Sequence, residues 1–340
     1  MRVLFIGGTG NISIAATRLL AERGADLTLL NRGQREVALP AGVRQIQADI
    51  RDRAAAVQAL SDGEPFDAVV DWVAFVPEHV ETDIALFGGR ISHYVFISSA
   101  TVYEKPSPFF PIVEEAPLGN IHWRYARDKI ACEERLRREH ERSGFPATIV
   151  RPTYTYGETW IPTAIEGQDY TIIERWKRGK KAIVPGDGES LWTMTHNTDF
   201  ARALVGLLGN TEAAGESFHI TSDEVLTWNQ ITEAIAAAAG LEADVAHIPS
   251  DFITAVEPEL GPGLLGDKSR SEVFDNSKIK RFVPGWKAVV PVAEGVARSM
   301  AWFEADPARK AIDEEWSRKL DRIVAAYEAG WPKQAINGPL

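Results

Sequence analysis

Two side chains four residues apart, Tyr125 and Lys129, have the types and spacing of a proton-transfer pair. They stand in the segment YARDK, and on a helix residues at this spacing lie on the same face. A tyrosine titrates at about pH 10 in isolation, but a neighbouring ammonium favours the phenolate and makes the phenol a usable acid or base near neutral pH. Because the pattern alone is common on protein surfaces, its meaning depends on the rest of the chain.

A serine stands one predicted strand earlier in the chain. Ser99 follows the run HYVFIS and precedes Tyr125 by 26 residues. Ligands of α/β sheets bind at the carboxyl ends of the strands, so the Ser99 hydroxyl can bind the same substrate oxygen as the phenol. Thr101, two residues further on, is a second candidate contact to the substrate.

The first turn of the chain nearly spells a dinucleotide-binding fingerprint. Gly7 and Gly10 are in place, but Ser13 stands where a third glycine is typical. A phosphate-binding turn needs glycine where the backbone takes unusual torsions or approaches the pyrophosphate. The third position serves close packing of helix on strand and accepts a small residue, so Ser13 is compatible with binding. A plain tight turn is the alternative, but the strand before and the helix after favour a cofactor site.

The second strand indicates which dinucleotide the loop takes. It ends at LTLLNRG, where Asn31 occupies the place of the acidic residue that would bind the ribose hydroxyls of NAD, and Arg32 follows. Nothing there repels a 2′-phosphate, so NADP is favoured and NAD stays open; the alternative is that Arg32 is a solvated loop charge. Asp49 and Ile50 follow the third strand and either bracket the adenine or, for Asp49, cap the next helix. The candidate cofactor residues from this reasoning are Gly7, Gly10, Asn11, Ile12, Asn31, Arg32, Asp49 and Ile50.

Alternating strand-like and helix-like segments in the first half must position these residues. Short β-branched apolar runs, as in strands buried on both faces, are separated by helical patterns: RVLFI, DLTLL, VRQIQ, DAVVDWV and HYVFIS. Right-handed crossovers through the helices give parallel pairing, so the sequence predicts an α/β protein with a doubly wound parallel sheet.

The predicted domains follow from a change in residue composition after the segment FPATIVRP. A cofactor domain covers residues 1–155, to which residues 193–226 return, and a smaller substrate domain covers 156–192 and 227–310. Residues 311–340 form a C-terminal helical tail. Its amphipathic segment EEWSRKLDRIVAAYE indicates packing on its own domain more than a partner site.

The composition limits the classes of function. The 340 residues include 48 acidic and 37 basic ones, and the net charge of −11 disfavours a large nucleic-acid surface. The single cysteine, Cys132, cannot form an internal disulfide, and no Cys/His cluster has the spacing of a metal site. No run of about 18 apolar residues predicts a membrane span. The sequence therefore predicts a cytoplasmic protein with a small-molecule substrate and neither nucleic-acid nor membrane partners.

In their order along the chain, these motifs resemble the extended short-chain dehydrogenase/reductases, the branch of nucleotide-sugar epimerases and dehydratases. The similar segments run from residue 7 to about residue 286 and are GGTGNIS, DIRD, FISSATVY, YARDK, RPTYTYGE, PGDGES, HNTDFARAL and DNSKIKRFVPGW. The segments LTWNQI and FDNSKIKRF are most similar to the atypical subgroup that includes the chloroplast stem-loop-binding proteins.

The resemblance implies a Rossmann-type fold with a smaller C-terminal substrate domain and assigns roles by position. It implies Tyr125 as catalytic acid/base, Lys129 as its electrostatic partner and a cofactor ligand at the nicotinamide ribose, and Ser99 as the ligand of the substrate oxygen. It also implies a homodimer that pairs through the helices bearing EHVETDIALFG and YARDKIACEERLRR.

Two positions depart from the family pattern. Tyr154, in RPTYTYG, and Trp192, in LWTMTH, stand where family members usually carry an asparagine and an arginine that bind the nucleotide part of the substrate. Aromatic rings cannot neutralise a diphosphate, but they can stack on a sugar face or an aromatic ring. With Trp160 as a third wall, these residues predict a substrate without a nucleoside diphosphate, such as a glycoside, a polyol or a small aromatic ketone. The alternative is that the rings fill the core of the smaller domain.

Fold alone leaves three functions open. The first is an NAD(P)-dependent oxidoreductase or epimerase/dehydratase acting on a sugar-like hydroxyl or ketone carbon, with a nucleotide-sugar 4-epimerase as the alternative among enzymes. The others are an RNA-binding protein and a cofactor-sensing subunit that keep the fold. RNA binding predicts a basic surface, and lost turnover predicts loss of Ser99, Tyr125 or Lys129. The net charge is negative and all three residues are present, so the enzyme is the favoured hypothesis.

Overall fold

The structure is a computed structural model that describes residues 1–35, 37–60, 65–165, 167 and 169–330. The last part of the predicted tail, residues 331–340, lies outside the described residues. The chain forms two compact units. The first consists of 1–157, 193–225 and 272–292, and the second of 158–192, 226–271 and the residues from Ala293 onward. Residues 272–292, which the sequence placed in the substrate domain, belong to the first unit.

Strands and helices alternate through the first half of the chain, as the periodicity predicted. The strands of the described residues are β1 (Arg2–Ile6), β2 (Asp26–Asn31), β3 (Arg44–Gln47), β4 (Ala68–Asp71), β5 (His93–Ile97), β6 (Ala147–Pro152), β7 (Tyr154–Tyr156), β8 (Ala182–Pro185), β9 (Leu191–Trp192), β10 (Met194–His196), β11 (Ser217–Ile220), β12 (Leu226–Thr227) and β13 (Val245–Ile248). The α-helices are α1 (Ser13–Glu22), α2 (Arg53–Leu60), α3 (Pro77–Phe87), α4 (Arg124–Ser143), α5 (Thr171–Lys177), α6 (Asn197–Leu207), α7 (Trp228–Ala238), α8 (Ser250–Val256), α9 (Gly261–Gly263), α10 (Ser277–Phe282), α11 (Val292–Glu304) and α12 (Glu314–Ala329).

The first unit is built on a seven-stranded parallel sheet. Its strand order is β11-β6-β5-β4-β1-β2-β3, and every pairing in it is parallel. The order reverses between β1 and β4, which is where a doubly wound sheet opens a crevice at the carboxyl ends of its strands. The predicted Rossmann-type fold is confirmed.

Helices cover both faces of this sheet. On one face α1, α6 and α10 pack on β1, β2 and β11, and their apolar side chains form one core cluster. On the other face α2, α3 and α4 form a second cluster with β4, β5 and β6. The central strands are buried on both faces, which explains why they read in the sequence as continuous apolar runs.

The second unit has two small two-stranded sheets. β8 pairs with β13 in parallel, and β9 pairs with β12 antiparallel. Its core contains Ile183 of β8 and Ile248 of β13 together with Leu320 and Ile323 of α12. The tail helix α12 is therefore part of this unit, and no helix among the described residues is both long and apolar enough to cross a membrane.

Candidate active site

The glycine-rich loop between β1 and α1 has the geometry of a phosphate-binding turn. Gly7 and Gly8 have φ angles of 102° and 95°, in the left-handed region that favours glycine. A Cβ on Gly8 would lie 2.7 Å from Leu29 Cδ2, so a side chain would collide with the core. A Cβ on Gly7 would lie 3.2 Å from Val73 Cγ1. The loop is thus held against the ends of β2 and β4 on both sides.

Ser13 replaces the third glycine without loosening this loop. Its buried side chain accepts a hydrogen bond from Gly10 N at 2.9 Å and donates to Gly10 O at 3.3 Å. One turn later, Thr17 Oγ1 donates to Gly8 O at 2.7 Å. Two hydroxyls on the buried face of α1 therefore fix the backbone of the turn, and the departure from the glycine pattern adds a hydrogen bond.

Two asparagines at the predicted cofactor site carry buried polar atoms that no described residue satisfies. Asn11 donates from Nδ2 to Thr155 O at 3.2 Å, and Asn31 accepts at Oδ1 from Gly33 N at 3.0 Å. The other amide atoms, Asn11 Oδ1 and Asn31 Nδ2, are buried without a hydrogen-bond partner in the described part of the chain. Because such atoms are costly unless a ligand completes them, the residues present fit a bound dinucleotide.

The remaining predicted cofactor residues follow the carboxyl ends of β1, β2 and β3. Arg32 is exposed directly after β2, and a Cβ on Gly10 would lie 3.7 Å from Nη1 of Arg35. Asp49 accepts at Oδ1 from Arg51 N at 3.0 Å, whereas Asp52, through its hydrogen bond from Ala55 N at 3.1 Å, caps the start of α2. The capping alternative for Asp49 is therefore wrong. Ile50 is buried among the core residues, and Ile12 stands directly before α1.

Lys129 joins the ends of two strands. Its Nζ donates to Ala74 O and to Ile97 O, both at 2.7 Å, so α4 is tied to the loop after β4 and to the last residue of β5. The ammonium also lies 4.7 Å from the ring centre of Phe96 and 4.9 Å from that of Phe75. Burial lowers the pKa of Lys129 to about 8, so the group stays mostly protonated at pH 7.

Tyr125 lies one turn before Lys129 on α4. The Lys129 ammonium is 5.7 Å from the centre of the phenol ring, and the Tyr125 side chain is half-buried. Two rings flank it, with centroids 5.2 Å away for Trp123 and 6.4 Å away for Phe75. Neither ring was predicted from the sequence. Trp123 was detectable by its spacing of two from Tyr125, but Phe75 comes from the loop after β4 and only the fold brings it here.

Ser99 and Thr101 form a turn of 3₁₀-helix after β5. Ser99 Oγ accepts from Thr101 N at 3.3 Å and from Thr101 Oγ1 at 3.0 Å. Asn120 then connects this turn to α4, because its Nδ2 donates to Thr101 O at 2.8 Å and its Oδ1 accepts from Trp123 N at 3.2 Å. A short chain of hydrogen bonds therefore joins the turn that contains Ser99 to the start of α4, the helix that carries Tyr125.

Two buried carboxyl groups shape the loop that contains Ala74. Asp71, at the end of β4, accepts at Oδ1 from Val73 N at 2.5 Å and from Ala74 N at 2.9 Å. Asp83 of α3 accepts at Oδ2 from Tyr94 Oη at 2.6 Å. Burial, and then the charge of Asp71, raise the pKa of Asp83 well above its usual range. The pair fixes the carbonyl that receives Lys129.

The three aromatic residues predicted to contact the substrate occupy different environments. Tyr154 is half-buried in β7 of the first unit. Trp160 is half-buried in the second unit. Trp192, also in the second unit, is 2% exposed, and its ring centroid lies 5.0 Å from that of Trp228. Its environment agrees with the core-filling alternative.

Taken together, the glycine loop, Lys129, Tyr125 and Ser99 meet at the carboxyl ends of β1, β4 and β5. Gly7 packs on Val73, the loop that follows supplies Ala74 O to Lys129, and β5 leads from Ile97 into Ser99. The described residues contain no cluster of three His, Cys, Asp or Glu side chains suited to a metal ion. This arrangement brings the Tyr125 phenol, the Lys129 ammonium and the glycine-rich loop to the switch point of the sheet.

Known proteins share this combination of fold and motifs. Residues 3–221 match the NAD dependent epimerase/dehydratase family, and the chain belongs to that family. It is accordingly an NAD(P)-dependent enzyme of the short-chain dehydrogenase/reductase type, as the order of motifs predicted.

Individual relatives differ in what they are named for. The 2′-dehydrokanamycin reductase of Streptomyces kanamyceticus is 26% identical over 291 residues, which cover 84% of this chain and 80% of that protein. The chloroplast stem-loop binding protein of 41 kDa b of Arabidopsis thaliana is 27% identical over 320 residues, covering 88% and 78%. A crystal structure of UDP-glucose 4-epimerase from Bifidobacterium longum with NAD+ and UDP has a TM-score of 0.71 at 21% identity and covers 90% of this chain and 99% of that one. The last similarity shows the fold alone.

Proposed function

We propose that this chain is an NADP(H)-dependent enzyme that acts on a hydroxyl or ketone carbon of a sugar-like substrate without a nucleoside diphosphate. The observation that carries the proposal is the position of Lys129. Its ammonium bridges the ends of β4 and β5 and lies beside Tyr125, with Ser99 two residues beyond the carbonyl that it binds at Ile97.

In the proposed reaction the protein manages the proton. Tyr125 gives a proton to, or takes one from, the substrate oxygen, and the Ser99 hydroxyl binds the same oxygen. The buried ammonium of Lys129 lies beside the phenol and stabilises its phenolate, because opposite charges attract strongly in a poorly solvated site. Two of the three N–H groups of Lys129 are used by backbone carbonyls, which leaves one for the cofactor ribose. When bound, the nicotinamide supplies the hydride chemistry.

The preference for NADP rests on charge around the end of β2. Asn31 offers an amide in place of a carboxylate, and Arg32 and Arg35 bring two guanidinium groups to the loop. None of the described carboxylates forms an ion pair with either arginine. Guanidinium groups left available in this way suit a 2′-phosphate, which they can bind with paired hydrogen bonds.

The substrate class rests on the rings around Tyr125. Trp123 and Phe75 flank the phenol, and Tyr154 is half-buried on the same unit. Such rings pack well on the C–H face of a sugar or on another ring. The relative from Streptomyces kanamyceticus is named for a reduction whose substrate name contains no nucleotide, in contrast to the UDP-glucose 4-epimerases.

We also propose a homodimer formed through α3 and α4. The exposed charges of α4 have both signs, with Arg124, Arg127 and Arg138 beside Glu134 and Glu141, and α3 exposes Glu78 and Glu81. Mixed charges of this kind can pair across a two-fold axis, where each face meets the same face of the second copy. A monomer in sedimentation at micromolar concentration would contradict this arrangement.

The test of function follows nicotinamide absorbance with NADPH or NADP and a panel of methyl glycosides, cyclitols and aromatic ketones. Turnover with a member of this panel is expected, and Tyr125→Phe is the inactive control. Thermal-shift measurements with NADP present form a second arm. Stabilisation by micromolar UDP- or GDP-sugars without any response to plain glycosides would return the chain to the nucleotide-sugar epimerases, and binding of structured RNA in a gel shift without turnover would favour the RNA-binding alternative.

A further inference from the structure

A fully buried ion pair lies directly behind the predicted catalytic residues. Glu133 follows Lys129 by one turn on α4, and Arg151 is near the end of β6; both side chains are 0% exposed. Arg151 Nε donates to Glu133 Oε1 at 2.9 Å, and its Nη2 donates to Oε2 at 2.6 Å. The pair thus has the two parallel hydrogen bonds that make such contacts rigid.

The same ion pair binds the chain on both sides of Ser99. On one side, Ser98 Oγ donates to Glu133 Oε1 at 2.6 Å. On the other side, Arg151 Nη1 donates to Tyr103 Oη at 2.6 Å. Tyr103 ends the 3₁₀ turn that begins after Ser99. The segment from Ser98 to Tyr103 is therefore held at both ends by one pair of charges.

The hydrogen-bond directions in this network are fixed by neutral partners. His219 donates from Nδ1 to Asp275 O at 3.2 Å, so its Nε2 accepts the proton of the Tyr103 hydroxyl. Burial lowers the pKa of His219 to about 3 and raises that of Tyr103, so both stay neutral over the working range of pH. Arg151 therefore always finds an oxygen lone pair at Tyr103, and the network does not depend on a titration.

We infer that the Glu133–Arg151 pair is a positioning device that sets the Ser99 hydroxyl relative to Tyr125. Glu133 shares a helix with Tyr125 and Lys129, so the hydrogen bond from Ser98 fixes the end of β5 to the helix that carries the phenol. Nothing in the proposed reaction uses Glu133 or Arg151 directly. This inference rests on the proposed function, because Ser99 matters only if it binds the substrate oxygen.

A purely stabilising role explains these contacts less well. Burying two charges is costly, and a well-packed apolar pair in the same place is often equally stable or more stable. An apolar pair could not form the hydrogen bonds to Ser98 and Tyr103. They hold both ends of the segment from Ser98 to Tyr103, which follows β5 and contains Ser99.

The test removes the hydrogen bonds of the ion pair to Ser98 and Tyr103 and leaves the ion pair itself in place. The double variant Ser98→Ala/Tyr103→Phe loses the hydrogen bonds from Ser98 to Glu133 and from Arg151 to Tyr103, together with the one from Tyr103 to His219, but no charge. Glu139→Gln is the matched control, because Glu139 is also a buried carboxylate on α4, and its hydrogen bonds among the described residues come from Arg135, Arg142 and Ser143 of the same helix. Hydrogen exchange of the amides from 98 to 103 is measured together with NADPH affinity and steady-state kinetics on the fastest substrate of the panel.

In the double variant, exchange of these amides is expected to rise about ten- to thirty-fold, as for the loss of the two hydrogen bonds that join the segment to the ion pair, while exchange in α4 stays the same. The kcat value is expected to fall about 10- to 100-fold, because displacing a reacting group by about 1 Å has an effect of that size. KM and NADPH affinity should change less than about twofold, and Glu139→Gln should change none of these quantities.

Unchanged exchange over residues 98–103 would overturn the inference, as would a kcat equal to that of the parent. A loss confined to KM or to NADPH affinity would also contradict it, since the pair would then act on binding. Absence of turnover in the parent would refute the proposed function, and the exchange measurement would still decide whether the ion pair holds this segment.

Discussion

Replacing Asp83 by asparagine tests whether this buried carboxyl group is a neutral acid in the folded protein. Asp83 is 0% exposed, and its Oδ2 accepts a hydrogen bond from Tyr94 Oη. Burial and the nearby charge of Asp71 raise its pKa, so between the unfolded and the folded pKa the folded protein holds a proton that the unfolded chain releases. Asparagine has nearly the same shape and keeps the site neutral without that proton.

The magnitude follows from linkage between protonation and folding. The carboxyl group of an unfolded aspartate has a pKa of about 4. Because the folded pKa of Asp83 is higher, the stability that its proton contributes is complete below about pH 4 and is lost as the pH rises towards the folded pKa. One proton corresponds to about 1.4 kcal/mol per pH unit, so between about pH 4 and the folded pKa of Asp83 the Asp83→Asn variant is expected to gain on the parent by that slope.

Urea unfolding followed by circular dichroism at pH 5, 6, 7 and 8 measures this difference. Asp71→Asn is the contrasting variant, because it removes the carboxylate that accepts hydrogen bonds from Val73 N and Ala74 N. This substitution is expected to destabilise the fold by about 1–3 kcal/mol. A difference between the parent and Asp83→Asn that does not change with pH would refute the reasoning.

Three other outcomes are expected. Tyr125→Phe should lower kcat about 10²- to 10⁴-fold with nearly unchanged NADPH affinity in calorimetry, and retention of more than about a tenth of the activity would contradict its role as acid/base. Arg32→Ala should reduce the preference for NADPH over NADH by about 1–2 kcal/mol, and equal affinity of the parent for both cofactors would argue against the NADP proposal. Burial lowers the pKa of His93 to about 4, so its stability contribution is present above the unfolded pKa of about 6.5 and is lost as the pH falls towards 4. His93→Asn should therefore vary less with pH across that window, by up to about 3 kcal/mol, and an identical pH dependence of the two unfolding curves would rule this out.

Much of the fold was predictable because the sheet is parallel. Central strands such as β1, β4 and β5 are buried on both faces and must be apolar throughout, so each stands out between helical segments. The same reasoning placed Gly7 and Gly10 in a turn after a strand and Ser99 at the end of another. These features depend on residues that are close in the sequence, where periodicity and turn chemistry act directly.

The parts of the site that involve distant segments could not be read in this way. The helix α4 carries many charges, and its periodicity gives no indication that Glu133 is buried while Glu134 is exposed. The partner of Glu133, Arg151, lies on strand β6, and the order of the strands in the sheet brings the two together. Phe75 likewise reaches Tyr125 only because the loop after β4 passes beneath α4. Such contacts depend on tertiary packing, which a pattern of residue types does not encode.

The order of segments in the first unit also has a consequence during protein synthesis. The edge strand β11 begins at Ser217, 65 residues after β6 ends at Pro152, and residues 158–192 of the second unit lie between them. At about 5–20 residues per second, a ribosome leaves the outer edge of β6 without its neighbour for about 3–13 s. During that interval the nascent chain exposes the strand ATIVRP, whose outer backbone N–H and C=O groups have no strand to pair with. Ribosome-associated chaperones that cover such edges, or slow synthesis that keeps nascent chains apart, should therefore raise the yield of native protein.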